Sequence, residues 1–335
     1  MKASFLVAAI APAILAMAAT WSSPTPATAQ DKFGAWGPPR NLGSTINSAC
    51  ANATCESERP AISRDNLSLY FDSTRPGSKR HDIWVSHRAS VNDPWETPQN
   101  LGPPVNTAAQ EFSPNLSPNG HWLFFGSDRP GGCGELDIWV SHRKDRDDDF
   151  AWEPPVNLGC KLNTSANDDF PFLFVDNEED ITILYFASDR DYGPNKYHIY
   201  ASTMNEEDGT FGPAVLVREL NCFPPDCVEF QRDSRTTIRR DGLEIIFGSF
   251  NRPGGSGLQD LWVSTREDTQ DPWSIPVNLG TVVNTRFQEG GPALSRDGTT
   301  LYFHSSRPGS FGTLDLYVTT RARLREDEGD DESRR

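Results

Sequence analysis

One stretch of sequence recurs five times, and this recurrence constrains the fold more than any other feature of the chain. The copy at residues 114–143 contains a turn at Ser117–Gly120, an apolar strand at Trp122–Phe125, a Gly- and Pro-rich loop and a second strand at Ile138–Ser141. The other copies lie at residues 60–88, 171–203, 236–266 and 292–321. A marker arginine follows the apolar strand of each copy: Arg75, Arg129, Arg190, Arg252 and Arg307. These markers are 54 to 62 residues apart, a period typical of one propeller blade with long loops.

A further element follows the repeated stretch. In the second copy it is the segment at residues 152–159, which begins with Trp152 and contains two prolines. Proline cannot donate to a central strand, so this element is predicted to form the outer edge of each blade. We therefore predict an all-β, five-bladed β-propeller of four-stranded antiparallel blades, built as one domain because a single blade cannot bury both of its faces.

The fifth copy ends at Arg321 without an outer strand, whereas one unpaired outer element, at residues 36–43, precedes the first copy. We expect this N-terminal segment to complete the last blade and to close the ring, which would also cover an exposed strand edge. The alternative is a loose leader and a fifth blade with three strands.

The repeat resembles the TolB-like family of WD-type (PD-type) propeller repeats over residues 33–321. The resemblance rests on a Pro-x-x-Ser-x-Asp-Gly turn, an apolar strand, Ser-x-Arg-Pro-Gly-Gly, and Asp-Ile-Trp-Val; the second and fifth copies match best. The third copy departs from it, with Asp191-Tyr-Gly in the loop and His198 in place of the aspartate. The resemblance implies a propeller but hardly an activity, because such repeats serve in binding modules and in enzymes alike.

The two ends of the chain differ from the repeats. Residues 1–29 have one lysine, an apolar run at residues 4–19 and an Ala-x-Ala site at residues 27–29, the pattern of a signal peptide that would release a chain beginning at Gln30. A membrane anchor is the competing interpretation, but the apolar run is short for a span. The propeller is then expected to comprise residues 30–321. Residues 322–335 are expected to form a charged, mobile tail. The protein is predicted to be periplasmic or secreted.

Export makes the six cysteines interpretable as disulfides. Cys50 with Cys55 and Cys222 with Cys227 have similar spacing in equivalent loops, and Cys133 could meet Cys160 in the second blade. A zinc site is the alternative, but Cys-x-x-Cys and clustered histidines are absent from the sequence. The net charge of −16 argues against nucleic-acid or anionic-lipid partners.

The marker arginines have an aspartate partner across the same loop in four copies, and we expect these pairs to act as structural clamps. The pairs are Arg75 with Asp82, Arg129 with Asp137, Arg252 with Asp260, and Arg307 with Asp315. In the third copy His198 replaces the aspartate, so Arg190 could be left free to contact a ligand.

A second polar set lies three residues before the first strand's proline or its equivalent: Glu111, Asp168, Asp233 and Glu289, with Ser57 in the first copy flanked by Glu56 and Glu58. If the strand order is right, these carboxylates ring one mouth of the central channel and could share a cation, for which calcium suits hard oxygen ligands. The alternative is that they accept hydrogen bonds from loop amides.

No hydrolase, metalloprotease or phosphate-loop motif occurs in the sequence. The leading expectation is therefore an exported, non-catalytic module that binds a protein or glycan through the face carrying the Arg-Pro-Gly loops and the inter-blade connections. The alternative is a carbohydrate-active hydrolase or lyase that uses channel-mouth carboxylates with Arg190 or His198. An enzyme would concentrate its unusual residues in one sector, whereas a scaffold would distribute them evenly.

Overall fold

The protein is a five-bladed β-propeller in a computed structural model, which describes residues 32–48, 50, 55–176, 178–223 and 232–324. The described residues form twenty strands and no helix. They contain no helix long and apolar enough to cross a bilayer. The predicted fold class is confirmed.

The strands follow one another in the order first, second, third and fourth strand of each blade. Blade one contains β2 (Ser57–Ile62), β3 (Ser68–Ser73), β4 (Asp82–His87) and β5 (Gln99–Asn100). Blade two contains β6 (Glu111–Leu116), β7 (Trp122–Ser127), β8 (Asp137–His142) and β9 (Val156–Asn157). Blade three contains β10 (Asp168–Asp176), β11 (Ile181–Ser188), β12 (His198–Thr203) and β13 (Val215–Leu216). Blade four contains β14 (Arg232–Ile238), β15 (Glu244–Phe250), β16 (Gln259–Thr265) and β17 (Val277–Asn278). Blade five contains β18 (Glu289–Leu294), β19 (Thr300–Ser305), β20 (Asp315–Thr320) and the N-terminal β1 (Arg40–Asn41).

The N-terminal segment closes the ring, as predicted. β1 pairs antiparallel with β20, with Arg40 opposite Val318. The pairing extends beyond β1, because the Gly34 amide donates to the Ala322 carbonyl at 2.8 Å. Residues 322–324 therefore continue the last blade rather than the tail, whose remaining residues lie outside the described part of the chain.

The outer strands are shorter than the eight-residue elements expected from the sequence. In each outer strand only two residues form pairs with the third strand. In four blades these two residues come directly before the Leu-Gly of the repeated segment. Proline explains the early end of pairing in blade one, since Pro98 has no N–H to donate next to Gln99.

The core lies between neighbouring blades. A buried phenylalanine recurs on the second strand of every blade: Phe71, Phe125, Phe186, Phe247 and Phe303. Tyr70 and Val85 of blade one, for example, share a cluster with Leu123 and Phe125 of blade two. Because each cluster takes residues from two blades, no blade is expected to be stable without its neighbour.

Two of the predicted disulfides are present, Cys50–Cys55 and Cys133–Cys160. The third predicted bridge, Cys222–Cys227, involves a residue outside the described part of the chain.

Ring closure makes a prediction about truncation. Deleting residues 32–43 removes β1 together with the contacts of Trp36, whose ring lies 4.4 Å from the Arg321 guanidinium. The exposed edge of β20 should lower the melting temperature or cause aggregation, measured by differential scanning fluorimetry and light scattering. An unchanged melting temperature would contradict a structural role for the closure.

Candidate active site

Two ends of the ring must be distinguished. The loop end carries the Arg-Pro-Gly loops and the inter-blade connections, which in blade one are residues 74–81 and 101–110. The turn end carries the turns between the first and second strands, such as residues 63–67. The first strands of all five blades run between these ends and line the channel.

The expected Arg–Asp clamps across the loops are wrong. Arg129 Nη2 instead donates to Glu111 Oε1 at 3.0 Å, and Arg307 Nη2 donates to Glu289 Oε1 at 3.1 Å. The loop aspartates have other partners: Asp82 accepts a hydrogen bond from Asn100 Nδ2 at 2.7 Å. The arginine thus turns back towards the first strand of its own blade rather than across the loop.

The four carboxylates expected at the channel mouth are all fully buried: Glu111, Asp168, Asp233 and Glu289. Each accepts backbone or side-chain hydrogen bonds within its own blade; Glu289, for example, accepts from the backbone and hydroxyl of Thr285, both at 2.7 Å. Burial raises the pKa of Glu111, although Thr107 and Arg129 oppose it. These contacts match the loop-capping alternative, and calcium binding by the four remains a prediction.

The third blade does not leave its arginine free. Arg190 Nη2 forms an ion pair with Asp168 Oδ1 and also donates to the Leu162 carbonyl at 2.8 Å. His198 stacks on Phe223, and its Nδ1 lies 3.0 Å from the Lys196 carbonyl oxygen. Among the described residues it forms no ion pair with a carboxylate. Burial lowers the pKa of His198. Ligand binding by Arg190 and His198 stays a prediction.

The channel contains a different feature, a bulge at the same position of every first strand. The bulged residues all have positive φ: Arg59 (46°), Ser113 (53°), Phe170 (58°), Arg235 (39°) and Gly291 (60°). A bulge re-aims the side chains around it, and bulges are common beside active sites. Because two of these residues are arginines and the others are serine, phenylalanine and glycine, the channel wall is chemically unequal around the ring.

Blade one supplies an ion-pair network beside its bulge. Arg59 Nη1 donates to Asp72 Oδ2 at 2.7 Å and lies 2.8 Å from Glu58 Oε2. Asp72 is fully buried and also accepts from the Ser113 amide at 3.0 Å. His81 connects this network to the loop end, with Nδ1 3.2 Å from Asp72 Oδ2.

The two carboxyls of this network have opposite pKa shifts. Burial raises the pKa of Glu58 to about 7, against the opposing effect of Arg59. Burial would also raise the pKa of Asp72, but Arg59 and His81 outweigh it and the pKa is lowered. Neighbouring carboxyls with separated pKa values are suited to different roles in acid–base chemistry. At neutral pH Asp72 is ionised while Glu58 still holds a proton in a substantial fraction of molecules.

A third carboxyl enters from blade three. Asp169 Oδ2 accepts from the Ser113 hydroxyl at 3.3 Å, whereas the buried Oδ1 has no hydrogen-bond partner. Burial raises the pKa of Asp169, opposed by the positive charge of Arg59. The buried carboxyls of Glu58, Asp72 and Asp169 thus all interact with the charge of the Arg59 guanidinium, and Asp169 Oδ1 is left without a hydrogen-bond partner.

Arg235 crosses the channel from blade four. Its Nη2 donates to the carbonyls of Arg59 at 2.9 Å and Pro60 at 2.6 Å in blade one, and of Pro114 at 3.2 Å in blade two. Burial lowers the pKa of Arg235 to about 10, so it remains charged at neutral pH. Its guanidinium joins blade four to blades one and two and supplies the carboxyls with a second positive charge.

Partly exposed groups surround this network on the loop-end side. The side chain of Glu56 is 31% exposed and that of His81 is 16% exposed, and one ligand atom from each lies within 4.8 Å of a Glu58 oxygen. The Arg59 guanidinium lies 5.3 Å from the Phe112 ring and 5.7 Å from the Phe170 ring. Acidic groups beside aromatic walls can position a sugar ring, which stacks its apolar face on such side chains.

Sequence reasoning noticed Glu56 and Glu58 only as flanking residues and missed Arg59, Asp72 and Asp169. A signal was present in the two residues before each first-strand proline. They are Glu-Arg in blade one, Phe-Ser in blade two, Asp-Phe in blade three and Gly-Gly in blade five, with Ser-Arg at the same place in blade four. This variation within an otherwise regular repeat marks the sector in which the channel residues differ.

Comparison with known proteins identifies the fold but not a family. No family model matches the chain. No curated protein matches it either.

Several solved structures of the same fold are glycoside hydrolases. A thermostable family-43 glycoside hydrolase superposes with a TM-score of 0.56 at 15% identity, over 85% of this chain and 94% of that one. The catalytic domain of the Coprinopsis cinerea GH62 α-L-arabinofuranosidase superposes with a TM-score of 0.56 at 11% identity, over 87% of this chain and 98% of that one. The endo-arabinase of Bacteroides thetaiotaomicron superposes with a TM-score of 0.56 at 16% identity, over 82% of this chain and 96% of that one.

These likenesses correct the leading functional expectation. The chain shares its fold with carbohydrate hydrolases over most of its length, and these structures are not TolB-like repeat proteins. The interpretation as a non-catalytic binding module is therefore contradicted.

Proposed function

We propose that the protein hydrolyses glycosidic bonds at the loop end of its channel, with Glu58 as the proton donor. The observation that carries the proposal is the pair Glu58 and Asp72, whose carboxyls share Arg59 and have pKa values shifted in opposite directions. A general acid works best when its pKa lies near the working pH, and a pKa of about 7 meets that condition.

Asp72 acts as a positioning residue. It is fully buried and cannot touch a polysaccharide, but it stays ionised and holds Arg59 and His81 in place. The Arg59 guanidinium, still 18% exposed, then lies over Phe112 and Phe170 and can donate hydrogen bonds to sugar hydroxyls.

Glu56 is the second carboxylate of the reaction. An oxygen of Glu56 lies within 4.8 Å of an oxygen of Glu58. So short a separation matches retaining glycosidases, whose two carboxyls are about 5–5.5 Å apart, better than inverting ones, in which they are roughly 6.5–9.5 Å apart. We therefore assign nucleophilic attack on the anomeric carbon to Glu56. Glu58 protonates the leaving oxygen and then takes a proton from the water that releases the sugar.

The substrate class follows from the structural neighbours. Their names describe an arabinofuranosidase and an arabinase, so arabinose-containing glycans are the first substrates to test. The disulfides Cys50–Cys55 and Cys133–Cys160 support action in an oxidising compartment, where a chain beginning at Gln30 would work after export.

The test is sugar release by the chain from Gln30 onward. Arabinan, arabinoxylan, xylan and cellulose oligosaccharides are incubated at several pH values, and the products are separated by anion-exchange chromatography. We expect release of arabinose or arabino-oligosaccharides, with retention of anomeric configuration by proton NMR. Inversion would exclude Glu56 as the nucleophile, and no product from any of the glycans between pH 4 and pH 8 would contradict the proposed function.

A further inference from the structure

The turn end of the ring contains a cavity that is separate from the proposed active site. Its volume is about 460 Å³, and it is lined by first-strand and turn residues of all five blades, from Pro60 in blade one to Arg296 in blade five. Arg235 lines this cavity too, and its Nη2 donates to the carbonyls of Arg59 and Pro60, next to Glu58 in blade one.

The cavity is basic in a chain whose net charge is −16. Its lining includes more arginines than acids. The arginines are Arg64, Arg143, Arg146, Arg235, Arg240 and Arg296, and the acids are Asp65 and Asp147. A concave surface of one charge focuses the potential within it and attracts ligands of opposite charge.

Three of these arginines come from equivalent turns of adjacent blades. Arg64, Arg240 and Arg296 each occupy the second position of a turn, in blades one, four and five. The pKa of Arg296 is lowered by burial and then by the charges of Arg240 and Arg64, so its guanidinium is close enough to both of theirs to be repelled by them. In the described part of the chain, none of the three has an ion pair or a side-chain hydrogen bond.

The aspartates of these turns do not neutralise the arginines. Asp65 Oδ1 accepts from the Ser63 hydroxyl and from the Leu67 amide at 3.0 Å. Asp297 accepts from the Thr299 amide at 3.1 Å in the same way. These carboxylates stabilise their own turns, which leaves the positive charges directed at the cavity without a counter-charge from the turns.

Arg235 supplies an anchored guanidinium at the inner boundary of the cavity. It is 5% exposed, and Nη2 is held by three carbonyl oxygens, whereas the buried Nη1 has no hydrogen-bond partner. A buried donor without a partner costs free energy that a bound acceptor would recover. Pro60, Pro171, Pro292 and Leu294 provide apolar walls beside it.

We propose that the turn end binds a small ligand through a multiply charged oxyanion group, a phosphate or a cluster of carboxylates. Arginine suits this chemistry because its planar fork matches both groups with paired hydrogen bonds. Binding relieves the repulsion among Arg64, Arg240 and Arg296, so a doubly or triply charged group is favoured over a singly charged one. This site shares Arg235 with the carboxyl network of the proposed active site, but its other arginines, Arg64, Arg240 and Arg296, belong to the turn end alone.

The experiment is isothermal titration calorimetry of the chain from Gln30 onward at low ionic strength. The probes are orthophosphate and citrate, with acetate as the singly charged comparison. Binding of phosphate alone would identify a phosphoryl ligand, and binding of citrate alone would identify a polycarboxylate. Both should bind more weakly as salt is added, because exposed charges contribute.

Variants locate the binding in the cavity. Arg64→Gln with Arg240→Gln removes two exposed guanidiniums that make no ion pair or side-chain hydrogen bond with the described residues. The fold should therefore persist, and the dissociation constant should rise by about tenfold or more. The control is Arg80→Gln with Arg286→Gln, which removes the same charge from exposed positions at the loop end and should leave binding unchanged. Equal weakening in both double variants, or no heat with either probe at millimolar concentration, would overturn the proposal.

Discussion

Glu58→Gln is expected to reduce the rate of sugar release by about a hundredfold or more, because an amide of the same shape cannot deliver a proton to the leaving oxygen. The measurement is kcat/KM on the best substrate of the glycan panel. Glu96→Gln is the matched control: Glu96 is an exposed glutamate near the other end of its blade, and its loss should leave kcat/KM unchanged.

The pH profile tests the same assignment without relying on the size of the loss. Glu58 must be protonated to act as an acid, and its pKa is about 7, so wild-type kcat/KM should fall as pH rises through that value. The residual activity of Glu58→Gln should lack this fall. A wild-type profile that stays flat to pH 9 would exclude Glu58 as the proton donor.

A stability measurement separates loss of chemistry from loss of fold. The folded pKa of Glu58 is raised above the ordinary value of 4.5, so the native state binds this proton more tightly than the unfolded chain. Wild type should therefore lose stability as pH rises from about 4.5 to about 7, by an amount on the order of 3 kcal/mol, and Glu58→Gln should not. At pH 8 the inactive variant is expected to be at least as stable as wild type towards urea.

The fold could be predicted because its signal is repetition. Five copies of the same turn, strand and loop sequence can be counted without knowledge of any contact, and the unpaired segment at residues 36–43 indicates how the ring closes. The length of the outer strands was overestimated, because the repeated sequence does not show where pairing stops.

The clamps were mispredicted because proximity along the chain was taken for proximity in space. Arg129 is near Asp137 in sequence, but antiparallel pairing places Glu111 opposite Ser127, two residues before the arginine. The Arg129 side chain also lies over the Phe125 and Trp139 rings, which direct it towards the first strand. Register between strands, rather than the loop, decides the partner.

The channel site could not be predicted because it is the part of the repeat that varies. Glu58, Arg59, Asp169 and Arg235 lie at or next to the bulge of their own first strands, and a search for repeat positions that stay the same discards them. Asp72 looks like one more second-strand residue until the register places it opposite Glu58. Arg235 is separated from Pro60 by 175 residues, and only the closed ring brings them into contact.

Replacing Arg59 should have the largest effect on stability. Asp72 is fully buried and ionised, and Arg59 is its ion-pair partner at 2.7 Å. Arg59→Met would leave that charge without its guanidinium partner in the interior, with His81 and the Ser113 amide as its remaining contacts. A loss of about 3–5 kcal/mol is typical when one partner of a buried ion pair is removed. The measurement is the free energy of unfolding in urea at pH 7.5. Arg80→Gln is the control, since its ion pair with Asp128 is largely exposed and should contribute less than about 1 kcal/mol.

Acidification should partly rescue Arg59→Met. In wild type the pKa of Asp72 lies below its ordinary value of 3.8, so its ion pair stabilises the fold at all higher pH. Without Arg59, burial raises the pKa of Asp72 above that of the unfolded chain, and the destabilisation decreases as pH falls and the carboxyl takes up a proton. Arg59→Met with Asp72→Asn removes the charge altogether and should recover most of the loss at pH 7.5. If the double variant were as unstable as Arg59→Met, the loss would come from the packing of Arg59 against Phe112 and Phe170 rather than from the unpaired charge.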